Sequence, residues 1–250
     1  MLVTSPYPNV EIPDVPLAHY VLERFRERGT QPALIDGPSG RVWTYGELGD
    51  AIHNVAGNLH QRGLRKGDVV GIFSPNLPEY AIAFHAVALL GGVLTTANPL
   101  YTVPELTTQL RDPRAKHLFT HPACLDVALT AAADANVVEI FCFGAAPGTT
   151  PLDDLLTGGG PLPEVAIDPA RDLVVMPYSS GTTGLPKGVM LTHRNLVANI
   201  AQCLGLQRTH LVGADDTILG VLPFFHIYGM LVIMNLALRT GAAIVTMPRF

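Results

Sequence analysis

Apolar positions recur along this chain at two spacings, roughly every third or fourth residue and in short unbroken runs. They predict amphipathic helices alternating with buried strands. A proline-rich stretch, residues 1–16, predicts an extended lead-in. Leu17, Tyr20, Val21 and Phe25 then share a helical face that Gly29 can end. Residues 33–35 and 42–44 flank Gly37-Pro38-Ser39-Gly40 and predict a β-hairpin. Thr44 and Glu47 have the spacing of a capping box, and Leu48, Ile52, Val55 and Leu59 line the helix that follows. Strands are predicted over 69–73, 93–97, 117–120 and 137–142. Between them fall an almost wholly apolar helix over 79–90, a capped helix starting at Thr102, and a helix over 124–133. This β-α-β-α rhythm predicts an α/β fold, a doubly wound and mainly parallel sheet with flanking helices and right-handed crossovers.

Residues 144–169 are rich in Gly and Pro and read as a connection. The expected organisation is a first α/β subdomain over 17–143, a linking stretch over 144–171 and the start of a second α/β subdomain over 172–250. In that second part, two short apolar runs bracket Tyr178-Ser179-Ser180-Gly181-Thr182-Thr183-Gly184-Leu185-Pro186-Lys187-Gly188, a loop slung between strands. Thr192 and Asn195 are placed to cap a helix carrying Leu196, Ile200 and Leu204. A strand over 217–222 leads into Pro223-Phe224-Phe225-His226-Ile227-Tyr228-Gly229. An apolar helix over 230–238 and a strand over 243–247 follow.

Composition narrows the partners. A net charge of −5 argues against nucleic acid or an anionic membrane, so any anion site must be local. Cys124, Cys142 and Cys203 are widely spaced and form no C-x-x-C, which points to neither a zinc site nor a disulfide framework and suits a reducing, cytoplasmic setting. The first residues lack a signal-peptide pattern, and no apolar run is long enough to span a membrane. His117 and His121 stand four apart, but residues 117–120 are predicted as a strand and not a helix, so a metal centre built on a helical histidine pair is not expected.

The loop at 178–188 holds the strongest chemistry. Glycines let backbone approach a ligand, successive N–H groups can form an anion-binding concavity, and hydroxyls and Lys187 add donors and charge. The pattern is not G-x-x-x-x-G-K-[ST], because Gly188 follows the lysine. His226 and Tyr228 sit just beyond a strand end, where open α/β sheets bind ligands. In extended backbone they would point the same way and form an aromatic wall with polar tips; the plainer alternative is a pair of core aromatics. His193 and Arg194 read as a polar helix start. The pairs Asp153-Asp154 and Asp215-Asp216 read as turns.

Y-S-S-G-T-T-G-L-P-K-G-V-M-L-T-H-R-N closely resembles the phosphate-binding signature of the adenylate-forming superfamily of acyl-CoA synthetases, peptide-synthetase adenylation domains and luciferases. With P-F-F-H-I-Y-G downstream, it looks most like the 4-coumarate–CoA ligase branch. W-T-Y-G-E-L and L-G-G-V-L-T-T-A-N-P-L-Y resemble its early, mainly structural motifs. The resemblance implies that ATP and an acid give acyl-AMP and pyrophosphate, and that CoA then takes the acyl group. It implies that Ser179, Ser180, Gly181, Thr182, Thr183, Gly184 and Lys187 cradle the ATP phosphates, with Thr183 beside Mg²⁺. His226 resembles an aromatic gate near the acyl carboxylate, and Tyr228 a residue lining the acyl pocket. Val232 stands where some plant coumarate ligases carry a small polar residue, a departure from hydroxycinnamate specificity that leaves other aryl, cinnamic-type or medium-chain acids open. Arg249 matches a basic position near the CoA entrance, or else caps a strand end.

Members of this superfamily run to about twice this length. The adenine-binding segment, the ribose-binding aspartate and the catalytic lysine of the small C-terminal domain have no counterpart in residues 1–250. The expectation is an incomplete large domain that is inactive alone. Two other readings stand beside the ligase: a non-catalytic nucleotide-binding or interaction protein, and part of a luciferase-like oxygenase.

Overall fold

A computed structural model describes residues 9–179, 186–206 and 212–248. The chain opens with α1 (Leu17–Leu22), the hairpin of β1 (Pro32–Asp36) and β2 (Val42–Thr44), and α2 (Tyr45–Gln61). It continues through β3 (Val69–Phe73), α3 (Pro78–Leu89), β4 (Val93–Ala97), α4 (Val103–Arg111), β5 (His117–Thr120), α5 (Leu125–Ala135), β6 (Glu139–Cys142) and β7 (Thr150–Pro151). Then come β8 (Leu173–Val175), β9 (Tyr178–Ser179), β10 (Lys187–Gly188), β11 (Leu191–Thr192) and α6 (His193–Leu206). The last elements are β12 (Thr217–Gly220), a π-helix (Gly229–Leu236), α7 (Ala237–Thr240) and β13 (Ala243–Thr246).

The predicted caps form. Thr44 Oγ1 accepts from the Glu47 N–H at 3.2 Å while the Glu47 carboxylate accepts from the Thr44 N–H at 2.9 Å. Thr102 and Glu105 build the same box at α4. Asn195 Oδ1 accepts from the Thr192 N–H at 2.9 Å, which starts α6.

The strands make a seven-stranded sheet, ordered β11-β8-β4-β3-β5-β6-β7, and a four-stranded sheet, ordered β12-β13-β1-β2. In the first, β8 to β6 run parallel and β11 pairs antiparallel at one edge. The strand order reverses around β3: β4 lies on one side of it and β5 on the other. In the second, β13 runs parallel to both β1 and β12. Both sheets therefore draw strands from both expected subdomains. The β1–β2 hairpin leaves the strands near it in sequence to join β13, while β8 and β11 complete the first sheet.

A helix that is apolar all round must be buried on all sides. The α3 helix meets that demand by packing against β4 of one sheet and β1 of the other. Every residue of α3 except Glu79 is buried. The 144–171 connection is held rather than loose. Asn58 donates to the carbonyls of Leu155 and Thr157, and Gly57 and Gly159 touch so closely that a Cβ on either would collide with the other's backbone or a neighbouring carbonyl.

The apolar helix predicted over 230–238 forms, but with a different winding from an ordinary α-helix. Its first part is wound as a π-helix, with Asn235 Nδ2 donating to the Met230 carbonyl five residues back at 2.8 Å. Gly229 seats its first turn against Pro223, where a Cβ would lie 2.1 Å from the carbonyl oxygen. Local propensity gives way here to close packing and a buried side-chain amide.

Candidate active site

The loop singled out in the sequence hangs from an antiparallel stem. In it Lys187 pairs with Ser179 and Gly188 with Tyr178. The stem continues β8, an inner strand of the seven-stranded sheet, through Met176 and Pro177. Val189 N–H closes it by donating to the Pro177 carbonyl at 2.9 Å. Gly188 lies flat on the Tyr178 ring, with space for a Cβ only 3.1 Å from a ring carbon. Tyr178 Oη donates to the Asp112 carboxylate at the end of α4. Burial, then the bond and charge of Asp112, hold the phenol pKa well above its usual range. Ser179 and Lys187 are exposed. Ser180, Gly181, Thr182, Thr183 and Gly184 lie outside the described residues, as does Arg249. Thr183, expected beside Mg²⁺, therefore has no described surroundings; among the described residues no group of three or more His, Cys, Asp or Glu is gathered.

A cleft of about 870 Å³ opens between the two sheets. Its walls come from the segments just after parallel strands: Asn76 beyond β3, Asn98 beyond β4, His121 beyond β5, Pro223 and Phe225 beyond β12, and Met247 beyond β13. In the seven-stranded sheet that is the switch point, where an open α/β sheet leaves a crevice outside its carboxyl ends. The walls are mainly apolar with a few polar groups, the usual make-up of a small-molecule site. Burial lowers the His121 pKa, and its Nδ1 accepts the Ala123 N–H at 3.1 Å. Burial also raises the Cys124 thiol pKa, so this cysteine is not poised as a nucleophile.

Pro223 and Phe225 of the P-F-F-H-I-Y-G segment line this cleft, whereas His226 and Tyr228 are not among its lining residues, and the segment is not extended backbone. Residues 224–226 form a turn, the His226 N–H donates to the Pro223 carbonyl at 3.1 Å, and Tyr228 is already helical. The expected same-side alignment of His226 and Tyr228 is thus overturned. Tyr228 N–H instead donates to His226 Nδ1 at 3.3 Å. Both side chains are exposed, which also excludes the reading as core aromatics. Val232, in the π-helix, is half-buried against the core. Phe224 is the anchor: it is fully buried and packs edge-on against Tyr80, with ring centroids 5.8 Å apart.

His193 plays the structural part expected of it. Its Nδ1 accepts the Leu17 N–H at 3.1 Å, joining α1 to α6, and burial pushes its pKa down to about 4.

The sequence reading passed over Asn76. This buried side chain donates to the carbonyls of Gly220 and Leu222, each at 2.9 Å, and accepts from the Phe224 N–H at 2.7 Å. It staples the segment leading to His226 onto the end of β3. An Asn before Pro-rich polar sequence looks like any turn residue, so no local signal marked it.

Comparison with known proteins bears on the family and the fold. A family model described as AMP-binding enzyme matches residues 21–250. A 4-coumarate–CoA ligase from Oryza sativa subsp. japonica is 42% identical over 249 residues, covering 98% of this chain and 46% of that protein. The chain thus spans about half the length of the curated relatives it matches. Among solved structures, a long-chain-fatty-acid–CoA ligase from Archaeoglobus fulgidus superposes with a TM-score of 0.88 at 27% identity, over 99% of this chain and 50% of that one. ATP-bound MatB from Rhodopseudomonas palustris gives a TM-score of 0.79 at 29% identity, over 95% and 46% of the two chains.

Proposed function

This chain belongs to the AMP-binding enzyme family, and from that premise we propose that it forms the phosphate-gripping part of an ATP-dependent acid–thiol ligase. The observation that carries the reading is the β9–β10 stem, which sets Lys187 opposite Ser179 at the mouth of a glycine- and hydroxyl-rich loop. That loop holds the β- and γ-phosphates of ATP through Ser179, Ser180, Gly181, Thr182, Thr183, Gly184 and Lys187. Thr183 would hold Mg²⁺, which would supply positive charge to offset that of the phosphates. An acid carboxylate oxygen attacks the α-phosphorus, and the bond to the bridging oxygen breaks as pyrophosphate leaves. The sulfur of CoA then attacks the acyl carbon. AMP departs with the bonding pair, and the thiol proton passes to solvent. The contribution of these residues is positioning and charge stabilisation.

His226 faces the acid carboxylate, and Tyr228 and Val232 bound its tail. With an apolar Val232 the substrate is an aryl, cinnamic-type or medium-chain acid bound without a hydroxyl partner there. The cleft between the sheets admits the thiol. In support, Met247 and Pro248, which immediately precede Arg249, line it. The curated relatives named 4-coumarate–CoA ligases and the ATP-bound neighbour support the class of reaction.

Two measurements test this reading. Titration of the purified chain with MgATP should show binding that Lys187→Ala weakens by ~10-fold, the effect of losing one charge-assisted contact. Acid-dependent ATP–pyrophosphate exchange should be absent from the 250-residue chain and present in a protein that also carries the remaining length of the relatives. MgATP binding unaffected by Lys187→Ala would overturn the assignment of the loop.

A further inference from the structure

The seven-stranded sheet and the helix on it bury polar side chains. Thr95 and Thr96 of β4 and Gln109 of α4 are all enclosed. A buried hydroxyl or amide is costly unless it is hydrogen-bonded, and these three bond to one another and to two loops. Gln109 Nε2 donates to Thr95 Oγ1 at 2.9 Å and to the Thr96 carbonyl at 3.1 Å. Neighbouring strand residues face opposite sides of a sheet, so the two hydroxyls reach in opposite directions. Thr95 Oγ1 donates to the Met176 carbonyl at 3.2 Å, at the foot of the stem that begins with Tyr178. Thr96 Oγ1 donates to the Phe225 carbonyl at 2.8 Å, immediately before His226. Asp112, one residue past α4, adds a second hold on the stem through Tyr178.

We propose that Thr95, Thr96 and Gln109 are positioning residues, a relay that fixes the phosphate loop relative to the loop carrying His226. The proposal rests on the ligase reading, because in-line attack requires the triphosphate and the acid to be held at one separation. Thr95 sets the phosphate side, Thr96 the acid side, and Gln109 locks the pair. The Phe225 carbonyl belongs to a segment outside the sheet, and Met176, whose N–H makes the last ladder bond to the Leu94 carbonyl of β4 at 2.7 Å, is where the stem departs from it.

Amide hydrogen exchange on the ligand-free chain tests the relay directly. Thr95→Val keeps the volume and removes the donor. It should speed exchange of the Val189 amide, which closes the stem, by ~5-fold, the worth of one net hydrogen bond, and leave the His226 amide unchanged. Thr96→Val should do the reverse, and Gln109→Leu should speed both. Thr95→Ser and Thr96→Ser keep the hydroxyl and should restore the wild-type pattern; if they behave like the valine variants, the role is packing and the proposal fails. Equal acceleration at both amides, or none, from either valine variant also overturns it. In a second arm, MgATP affinity should fall ~5-fold in Thr95→Val and hold in Thr96→Val. A wild-type chain that does not bind MgATP would sink the functional reading, and the exchange pattern would still decide the relay.

Discussion

In the seven-stranded sheet, β3 and β4 are buried at all five positions; in the four-stranded sheet, β12 exposes Thr217 and Leu219 and buries only Gly220. The difference follows from what covers them. Helices pack both faces of the larger sheet's centre, as parallel sheets require, whereas β12 is an edge strand with one neighbour. The smaller sheet nevertheless carries the loop with His226 and Tyr228. That loop is held from the other side: by Asn76 beyond β3, by Thr96 of β4, and by Phe224 against Tyr80 of α3. The well-packed region thus supplies the anchors, and the exposed region supplies the groups free to meet a ligand.

Breaking the apolar anchor should have the largest effect. Phe224→Ala removes a fully buried ring at the join of the two sheets, and should destabilise by ~3–5 kcal/mol in denaturant unfolding. A loss below 1 kcal/mol would mean the loop does not depend on the larger sheet. Next comes Asn76→Ala, which leaves two carbonyls and one N–H without their partner. A cost of roughly 2–3 kcal/mol is expected, and the amides of residues 220–226 should exchange faster while those of β3 hold. If β3 loosens equally, the anchor is not one-sided.

The last effect is smallest at neutral pH, grows as pH falls, and concerns the anchoring region alone. Burial lowers the His85 pKa from 6.5 to about 3, and neither ring nitrogen has a partner. Between those values the unfolded chain binds a proton that the folded chain refuses. The stability is therefore complete above about pH 6.5 and declines as pH falls toward 3, at ~1.4 kcal/mol per pH unit. His193, lowered to about 4, acts in the same direction. His85→Leu should raise stability at neutral pH and flatten the acid side of the stability profile. An unchanged slope in unfolding midpoints between pH 6.5 and 4.5 would show that His85 is not the proton-refusing group.

The elements that could be read directly were those with local causes. Thr44–Glu47 and Thr102–Glu105 announce helix starts within four residues, and the apolar run in α3 announces burial without naming its neighbours. The strands flanking the 178–188 loop were readable in part, from the two short apolar runs that bracket it, but the β9–β10 stem lies inside the span read only as loop. The orientation of His226 and Tyr228 was not. Alternation predicts extended backbone there, and the turn and π-helix that replace it depend on Gly229 packing against Pro223 and on the Asn235 amide. Asn76 escaped notice because its partners lie 144 to 148 residues away.

The sequence by itself therefore determined most of the strand and helix succession, the caps, the composition of the 178–188 loop and the likeness to carboxylate-activating enzymes. Each of these depends on residues a few positions apart. Tertiary structure alone decided which sheet the β1–β2 hairpin joins, where the two sheets leave a cleft, and that Thr95 and Thr96 face two different loops. Those outcomes depend on which distant surfaces meet, and a strand's own pattern states only that it must be covered.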